Sequence, residues 1–439
     1  MKINNFKFEE VVIGKEGLLK GPFGSDLKKS LFVPQGENTY KVYLQENILQ
    51  SNLKNGEYYI SKAYYESNMK RYTVKENDFI VTCDGTLGEI LQFKNIKEPG
   101  IISSSLLRIT LDPSIIDADY FYYYFKIRMK NALIKQGNNS VLKHLPGLKV
   151  LKEFNLELPS STSEQKQLAL ILKLLDSKIE LNNRINFELE AMAKTLYDYW
   201  FVQFDFPDKN GMPYKSCGGK MVWNDELKRE IPEGWKVKTL LDIATFVNGL
   251  ACQKFRPKEN EDSYRVIKIR EMGTGFTENS EFVSKNIPEK VVVFNGDILF
   301  SWSATLDVKI WTGGTGALNQ HIFKITSEKY PKSFYYFELL NYLQHFKMMA
   351  ELRKTTMGHI TQDHLRESRI TIPPIEIINE LDKIIKPILE KKVKLEIEKQ
   401  KLTELRDWLL PMLMNGQVKV KDEKESLSMA TEPGVKYGK

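Results

Sequence analysis

The chain has few of the residues that announce common chemistries. Only three cysteines occur in 439 residues, Cys83, Cys217 and Cys252, far apart and in no CxxC pair. Neither a disulfide framework nor a zinc ribbon is expected of them, and the reading is three reduced thiols. No apolar run approaches the roughly 20 residues that span a bilayer. The opening residues, "MKINNFKFEEVVIGKEG", lack the apolar core of a signal peptide. A cytoplasmic protein is the expectation. There is no GxxxxGK[ST] phosphate loop, no GxSxG or HExxH motif, and no [DN]PP[YF] stretch of the kind adenine methyltransferases use. "TGGTGAL" at 312–318 is rich in glycine but lacks a strand–GxGxxG–helix setting, so it reads as a turn. His359 and His364 are five apart, a poor fit to the i,i+4 spacing of a helical metal pair, and no metal site is expected. Asp78, Asp84 and Asp297 could serve a nuclease, but an aspartate before a short strand is an ordinary turn or capping position.

What is present is ordinary globular material that repeats itself. Apolar residues make up 42% and charged residues 28%, with a formal net charge of +7 that permits a polyanionic partner without demanding one. "DFIVTCDGTL" at 78–87 is echoed by "DILFSWSATL" at 297–306. "LKEFNLELP" at 151–159 is echoed by "LRESRITIP" at 365–373, with Leu151, Glu153, Leu156, Leu158 and Pro159 matching Leu365, Glu367, Ile370, Ile372 and Pro373. Between these motifs each half carries an aromatic helix pattern, "DYFYYYFKIRMKNALI" and "KSFYYFELLNYLQHFKMM", whose spacing suits core rather than base stacking. After each closing proline comes a long apolar-periodic segment, 162–200 and 376–414. The order strand-rich region, aromatic helix, short strand, proline, long helix therefore occurs twice, the mark of an internal duplication.

The long segments share a heptad grammar. Leu168, Leu175, Asn182, Leu189 and Leu196 form one row, flanked by Leu172, Ile179, Ile185, Met192 and Tyr199. Leu381, Ile388, Leu395, Leu402 and Leu409 form the other, with Ile384, Ile385, Leu405 and Met412 between them. Pro387 is expected to kink or weaken one turn. Each segment would run roughly 58 Å as a helix, and an exposed apolar stripe of that length needs a partner. A duplicated fold makes the two helices an antiparallel pair. Asn182 stands within the apolar row, where one polar residue commonly sets register at some expense of stability. Asn183 and Arg184 would face outward. The fold class expected is α+β, two similar domains joined by two long antiparallel coiled-coil helices with pseudo-twofold duplication.

The duplicated layout resembles a known family. "GPFGSDL" at 21–27, "SEQKQLALILKLLDSKIELNNRINFELEAMAKTLYDYWFVQFDF", "PYKSCGGKMVW", "IPEGWKVKTLLDIATFVNG" and "LRDWLLPMLMNGQV" together are similar to the specificity subunit of type I restriction-modification enzymes. The resemblance covers residues 5 to 420 and is strong in the long helices and connector, weak between them. It implies target recognition domains at 1–160 and 232–374, spacer helices at 161–200 and 375–415, a connector at 201–231 and a mobile tail at 416–439. It implies a non-catalytic chain that reads a bipartite duplex DNA target. It also implies partners: methyltransferase subunits, usually two, and motor-nuclease subunits. S-adenosylmethionine, ATP and magnesium would sit on those partners, with no cofactor on this chain. The alternatives are a self-sufficient nuclease or methyltransferase with divergent motifs, and an adaptor that never touches DNA.

DNA contacts are expected from cations and amides in irregular polar stretches. In the first half these are Lys20, Ser25, Lys28, Lys29, Asn138, Asn139, Ser140 and Lys143. In the second they are Lys254, Arg256, Lys268, Arg270, Lys354, Thr356 and His359.

Overall fold

The structure, a computed structural model, describes residues 2–137, 145–352 and 360–418. The chain divides into two compact units, residues 1–177 with 403–439 and residues 178–402. Each of the two long helices, Thr162–Phe201 and Ile375–Met414, contributes to both.

The first unit is built on a four-stranded antiparallel sheet in the order Leu18–Lys20, Leu106–Ile109, Phe79–Thr82, Ile90–Gln92. All four residues of its central strand Phe79–Thr82 are buried, so the strand is covered on both faces. Alternation then sends Phe79 and Val81 into one core and Ile80 into another. A second sheet runs Phe32–Val33, Tyr59–Ser61, Thr39–Tyr43, Gly100–Ile102, its last two strands parallel. Ile3–Lys7 pairs with Asn155–Pro159. The aromatic stretch forms Ala118–Tyr124, a π-helical turn Phe125–Met129 and Lys130–Gly137, and buries Tyr120, Phe121, Tyr123, Tyr124 and Phe125.

The second unit repeats this plan. Its first sheet runs Thr245–Asn248, Ile322–Thr326, Ile298–Ser301, Asp307–Ile310, again antiparallel. Ile298–Ser301 is wholly buried, and it sends Ile298 and Phe300 to one core and Leu299 to the other. In its second sheet Ser263–Ile267 lies parallel to Gly316–Leu318, and Lys236–Lys238 pairs with Ile370–Ile372. The aromatic helix is Lys332–Leu352. "TGGTGAL" is a turn and then a strand, as expected, with Gly314 at φ +88 accepting a hydrogen bond from Trp311 Nε1.

The repeated aspartates explain themselves. Asp78 accepts from Lys75 N at 2.7 Å, and Asp297 from Phe294 N at 2.9 Å, each closing the turn that launches the buried strand. Each also faces a cation on the neighbouring strand, Arg108 at 3.9 Å and Lys324 at 2.9 Å. Both are structural positions.

The long helices pair antiparallel: Asp176 meets Arg406, Lys178 and Asn182 meet Glu398, Asn186 meets Glu396, and Glu190 meets Lys392. Their ends are apolar. Leu168 and Leu172 join Leu410, Leu413 and Met414 in the first unit's core; Tyr197, Trp200 and Phe201 join Ile378, Leu381, Ile385 and Leu389 in the second's. Their middle is polar. In that middle Asp176 also accepts from Tyr123 Oη at 2.7 Å, tying an aromatic helix to the pair.

The seam corrects the sequence reading in part. Asn182 is fully buried, and Leu168, Leu381 and Leu395 are buried in the heptad rows. Leu175, Leu189, Leu196, Ile388, Leu402 and Leu409 are half-buried. The flanking row, however, is Leu172, Ile179, Asn186, Ala193 and Trp200; Met192 and Tyr199 are exposed, and Ile185 is only half-buried. On the other helix Ile385 faces inward while Ile384 and Leu405 are exposed. The inward row there continues through Lys392, Lys399 and Arg406, long cations whose stems pack and whose heads reach carboxylates. The helix Ile375–Met414 runs unbroken through Pro387, which is exposed.

Candidate nucleic-acid interface

In each unit the strands of the first sheet end in a cluster of loops held by the same backbone bonds. In the first, Gly21 N donates to Leu106 O at 2.9 Å, Cys83 N to Ser105 O at 2.8 Å, and Leu145 N to Cys83 O at 3.0 Å. In the second, Gly249 N donates to Ile322 O at 3.2 Å, Trp302 N to His321 O at 3.3 Å, and Ile360 N to Trp302 O at 3.0 Å. Both clusters need a glycine at their closest point. A Cβ on Gly21 would lie 1.9 Å from Ser103 O, and one on Gly249 2.2 Å from Asn319 O. At the tip, Gly85 at φ +68 corresponds to Ala304 at φ +58.

The loops that follow these glycines are short 3-10 turns, Gly24–Asp26 and Cys252–Phe255. They carry several of the sequence candidates. Lys28, Lys29, Lys254 and Arg256 are exposed and have no acidic partner among the described residues. Ser25 is exposed and donates to Asp26. Lys20 is exposed at a strand end, 3.9 Å from Asp84. Beside them Phe23 is 82% exposed, an aromatic at a loop tip that the sequence reading passed over.

Other candidates are engaged differently. Lys268 pairs with Glu281 at 2.5 Å, and Arg270 with the buried Glu271 at 2.6 Å while also donating to Asn279 O. Asn138, Asn139, Ser140, Lys143, Lys354, Thr356 and His359 lie outside the described residues, as do residues 419–439 of the expected tail. His364 is buried, and its Nδ1 accepts from Thr361 N at 3.0 Å, a helix-start role.

Chemistry elsewhere is sparse. Among the described residues no three His, Cys, Asp or Glu side chains converge as metal ligands. No helix among them is long and apolar enough to cross a membrane. The thiols of Cys83 and Cys252 are buried and burial pushes both upward, Cys83 to about 12, so neither is poised as a nucleophile. Among the described residues, burial raises the enclosed Glu338 to about 7 against the opposing pull of the Tyr197 hydroxyl at 2.6 Å and the nearby Arg229. It sits in the core between the aromatic helix and the first long helix.

The first long helix also carries an apolar stripe that stays exposed among the described residues. Leu170, Leu174, Leu181, Met192 and Tyr199 recur at helical steps on one side of the helix, beside the buried seam, and are 36% to 60% exposed. Asn183 and Arg184 are exposed on the same helix.

Comparison with known proteins gives consistent matches. The family described as type I restriction modification DNA specificity domain matches twice, over residues 27–191 and 232–407. The specificity subunit of the type I restriction enzyme MjaIX of Methanocaldococcus jannaschii is 26% identical over 393 residues, covering 85% of this chain and 87% of its own. The HindI specificity subunit of Haemophilus influenzae is 26% identical over 321 residues, covering 61% of this chain and 70% of its own. The crystal structure of the type I restriction-modification S subunit from M. genitalium superposes with a TM-score of 0.59 at 15% identity, covering 94% of this chain and 96% of that one.

Proposed function

The chain belongs to the type I restriction-modification DNA specificity family, and we propose that it reads a bipartite duplex DNA target while partner subunits perform the chemistry. The observation that carries this reading is the duplication itself. Two units share a sheet order and a loop cluster, and each cluster bears exposed cations, Lys28 and Lys29 or Lys254 and Arg256, without acidic partners among the described residues. Two similar readers on one chain suit two half-sites on one duplex, which face the same side about one helical turn, roughly 34–36 Å, apart. Lys28, Lys29, Lys254 and Arg256 supply phosphate contacts, and side chains of the loop clusters meet base edges.

In this reading residues 1–160 and 232–374 are the recognition domains. The helices at 161–200 and 375–415 set their spacing and register, and residues 201–231 return the chain. The exposed stripe of Leu170, Leu174, Leu181, Met192 and Tyr199 fits docking of helices from methyltransferase subunits, two by the pseudo-symmetry of the chain. Motor-nuclease subunits complete the assembly. The chain itself is non-catalytic, works in the cytoplasm and binds no cofactor; S-adenosylmethionine, ATP and magnesium belong to the partners.

Domain exchange tests this. Replacing residues 1–160 with the first domain of another family member changes one half-site of the methylated motif and leaves the other intact. A change in both halves, or in neither, overturns the two-reader model. Turnover of DNA by the purified chain alone, with S-adenosylmethionine and Mg²⁺, would instead favour a self-sufficient enzyme.

A further inference from the structure

The two loop clusters share a backbone and differ in what they display. The matched hydrogen bonds of Gly21 with Gly249, Cys83 with Trp302 and Leu145 with Ile360 set the correspondence residue by residue. Lys20 then corresponds to Asn248, Cys83 to Trp302, Ser104 to Gln320 and Ser105 to His321. In the first cluster these positions hold one lysine that leans toward Asp84, a buried thiol and two half-buried hydroxyls. In the second they hold two amides, an indole and an imidazole.

The second set is organised as a unit. Trp302 Nε1 reaches Asn248 Oδ1 at 3.4 Å, and the indole packs on the His321 ring at 5.6 Å between centroids. Gln320 Nε2 and His321 Nε2 lie 3.2 Å apart. His321 Nδ1 is enclosed with no hydrogen-bond partner among the described residues. Asn248 is exposed, while Trp302, Gln320 and His321 are half-buried, so each presents part of its surface outward from a fixed backbone. Ala304, in the left-handed region at the loop tip, is the kind of strained position that collects at working sites.

A frame kept constant while its side chains change is what a reader of variable sequence requires. Packing alone would not call for amides and an imidazole at the rim of an apolar core, because each must find partners or stay wet. Resting on the reading of the chain as a DNA specificity subunit, we infer that Asn248, Trp302, Gln320 and His321 are the base-reading residues of the second domain, and that Lys20, Ser104 and Ser105 read for the first from the same backbone positions. The chemistry fits base edges in the major groove. An amide offers the donor and acceptor that match the N6–N7 edge of adenine, a lysine matches guanine O6 and N7, and hydroxyls serve either. The indole braces the amide and imidazole and adds an apolar face for a base or a thymine methyl.

The correspondence supplies its own test, because the first cluster already carries the replacement residues on the same backbone. Three variants, Asn248→Lys, Gln320→Ser and His321→Ser, are expressed singly with the partner subunits, and methylated adenines are mapped across the genome. Each variant is expected to change or relax one or two positions in the half-site read by residues 232–374, with at least a fivefold loss of discrimination there. The other half-site stays unaltered and certifies that the protein has folded and assembled. A motif identical to the parent's in all three variants overturns the inference while leaving the specificity-subunit reading intact. A parent chain that directs no bipartite methylation overturns both. Should His321→Ser or Gln320→Ser abolish methylation altogether, Asn248→Lys decides, since that side chain is exposed and outside the packed core.

Discussion

Asp78 with Arg108 and Asp297 with Lys324 hold the same place in the two sheets but differ in enclosure. The first pair is nearly sealed, its side chains 0% and 7% exposed, and the guanidinium also donates to the carbonyls of Glu16, Arg71 and Thr73. The second pair is 21% and 12% exposed, and Lys324 also donates to Val292 O at 2.8 Å. The duplicated fold has thus kept a position and changed its chemistry, from a fork that ties four segments together to a point charge that ties three. Equivalent positions in the two units carry different energetic weight.

The largest effect should come from breaking that difference. Arg108→Leu removes the counter-charge of a buried carboxylate and the donor of three carbonyls, and is expected to destabilise by about 3–5 kcal/mol. Lys324→Leu, at a more exposed pair, should do so by about 1–3 kcal/mol. Urea unfolding of each variant measures both, and equal losses would erase the distinction drawn here.

Gly21→Ala and Gly249→Ala probe what the two units share. Each added methyl meets backbone oxygen rather than a movable side chain, so both should lose about 3 kcal/mol. A free substitution at either position would break the equivalence of the loop clusters.

Glu338 separates the units by pH. Its folded-state value, about 7, lies above the ordinary 4.5. The stability it contributes is therefore complete below about 4.5 and lost as pH rises through 7. Glu338→Gln, which still accepts from the Tyr197 hydroxyl, should flatten the dependence of unit-two stability between pH 5 and 7 by an amount on the order of 2 kcal/mol. Fluorescence of Trp200 and Trp235, both in that core, reports it. A parent protein with no slope in that window would contradict the assignment.

Two smaller effects test the helix pair and the loop tip. Asn182 donates to Glu398 at 3.0 Å, but its Oδ1 is buried with no partner among the described residues. Asn182→Leu should stabilise by about 1 kcal/mol while weakening the register it marks. A less stable variant would mean that the amide holds more than register. Ala304→Gly should be stabilising by less than about 1 kcal/mol, and Gly85→Ala destabilising by a similar amount, since both sit at positive φ.

Much of this architecture was legible in the sequence because it rests on apolar periodicity and short motifs. The duplication, the buried strands after Asp78 and Asp297, and the limits of both long helices follow from patterns that burial enforces. The exact seam was harder to read. Both long helices carry apolar residues on two sides, so Ile185 and Ile384 compete with Asn186 and Ile385 for the inward row, and the winners include an amide and three long cations. The loop clusters were harder still, because beyond Gly21 with Gly249 and the closing Thr-Leu pairs few identities are kept, while backbone bonds, invisible in sequence, make Lys20 the counterpart of Asn248. Lys268 looks like a free cation in the chain until folding brings Glu281 beside it, and Arg270 has Glu271 as its sequence neighbour, a carboxylate that only folding buries.

The most direct test of the central claim is a map of methylated adenines in cells with and without this gene. A bipartite motif, two short specified stretches separated by a fixed gap, is expected to disappear on deletion and return on complementation. An unchanged methylation pattern, or loss of a single continuous motif, would contradict it.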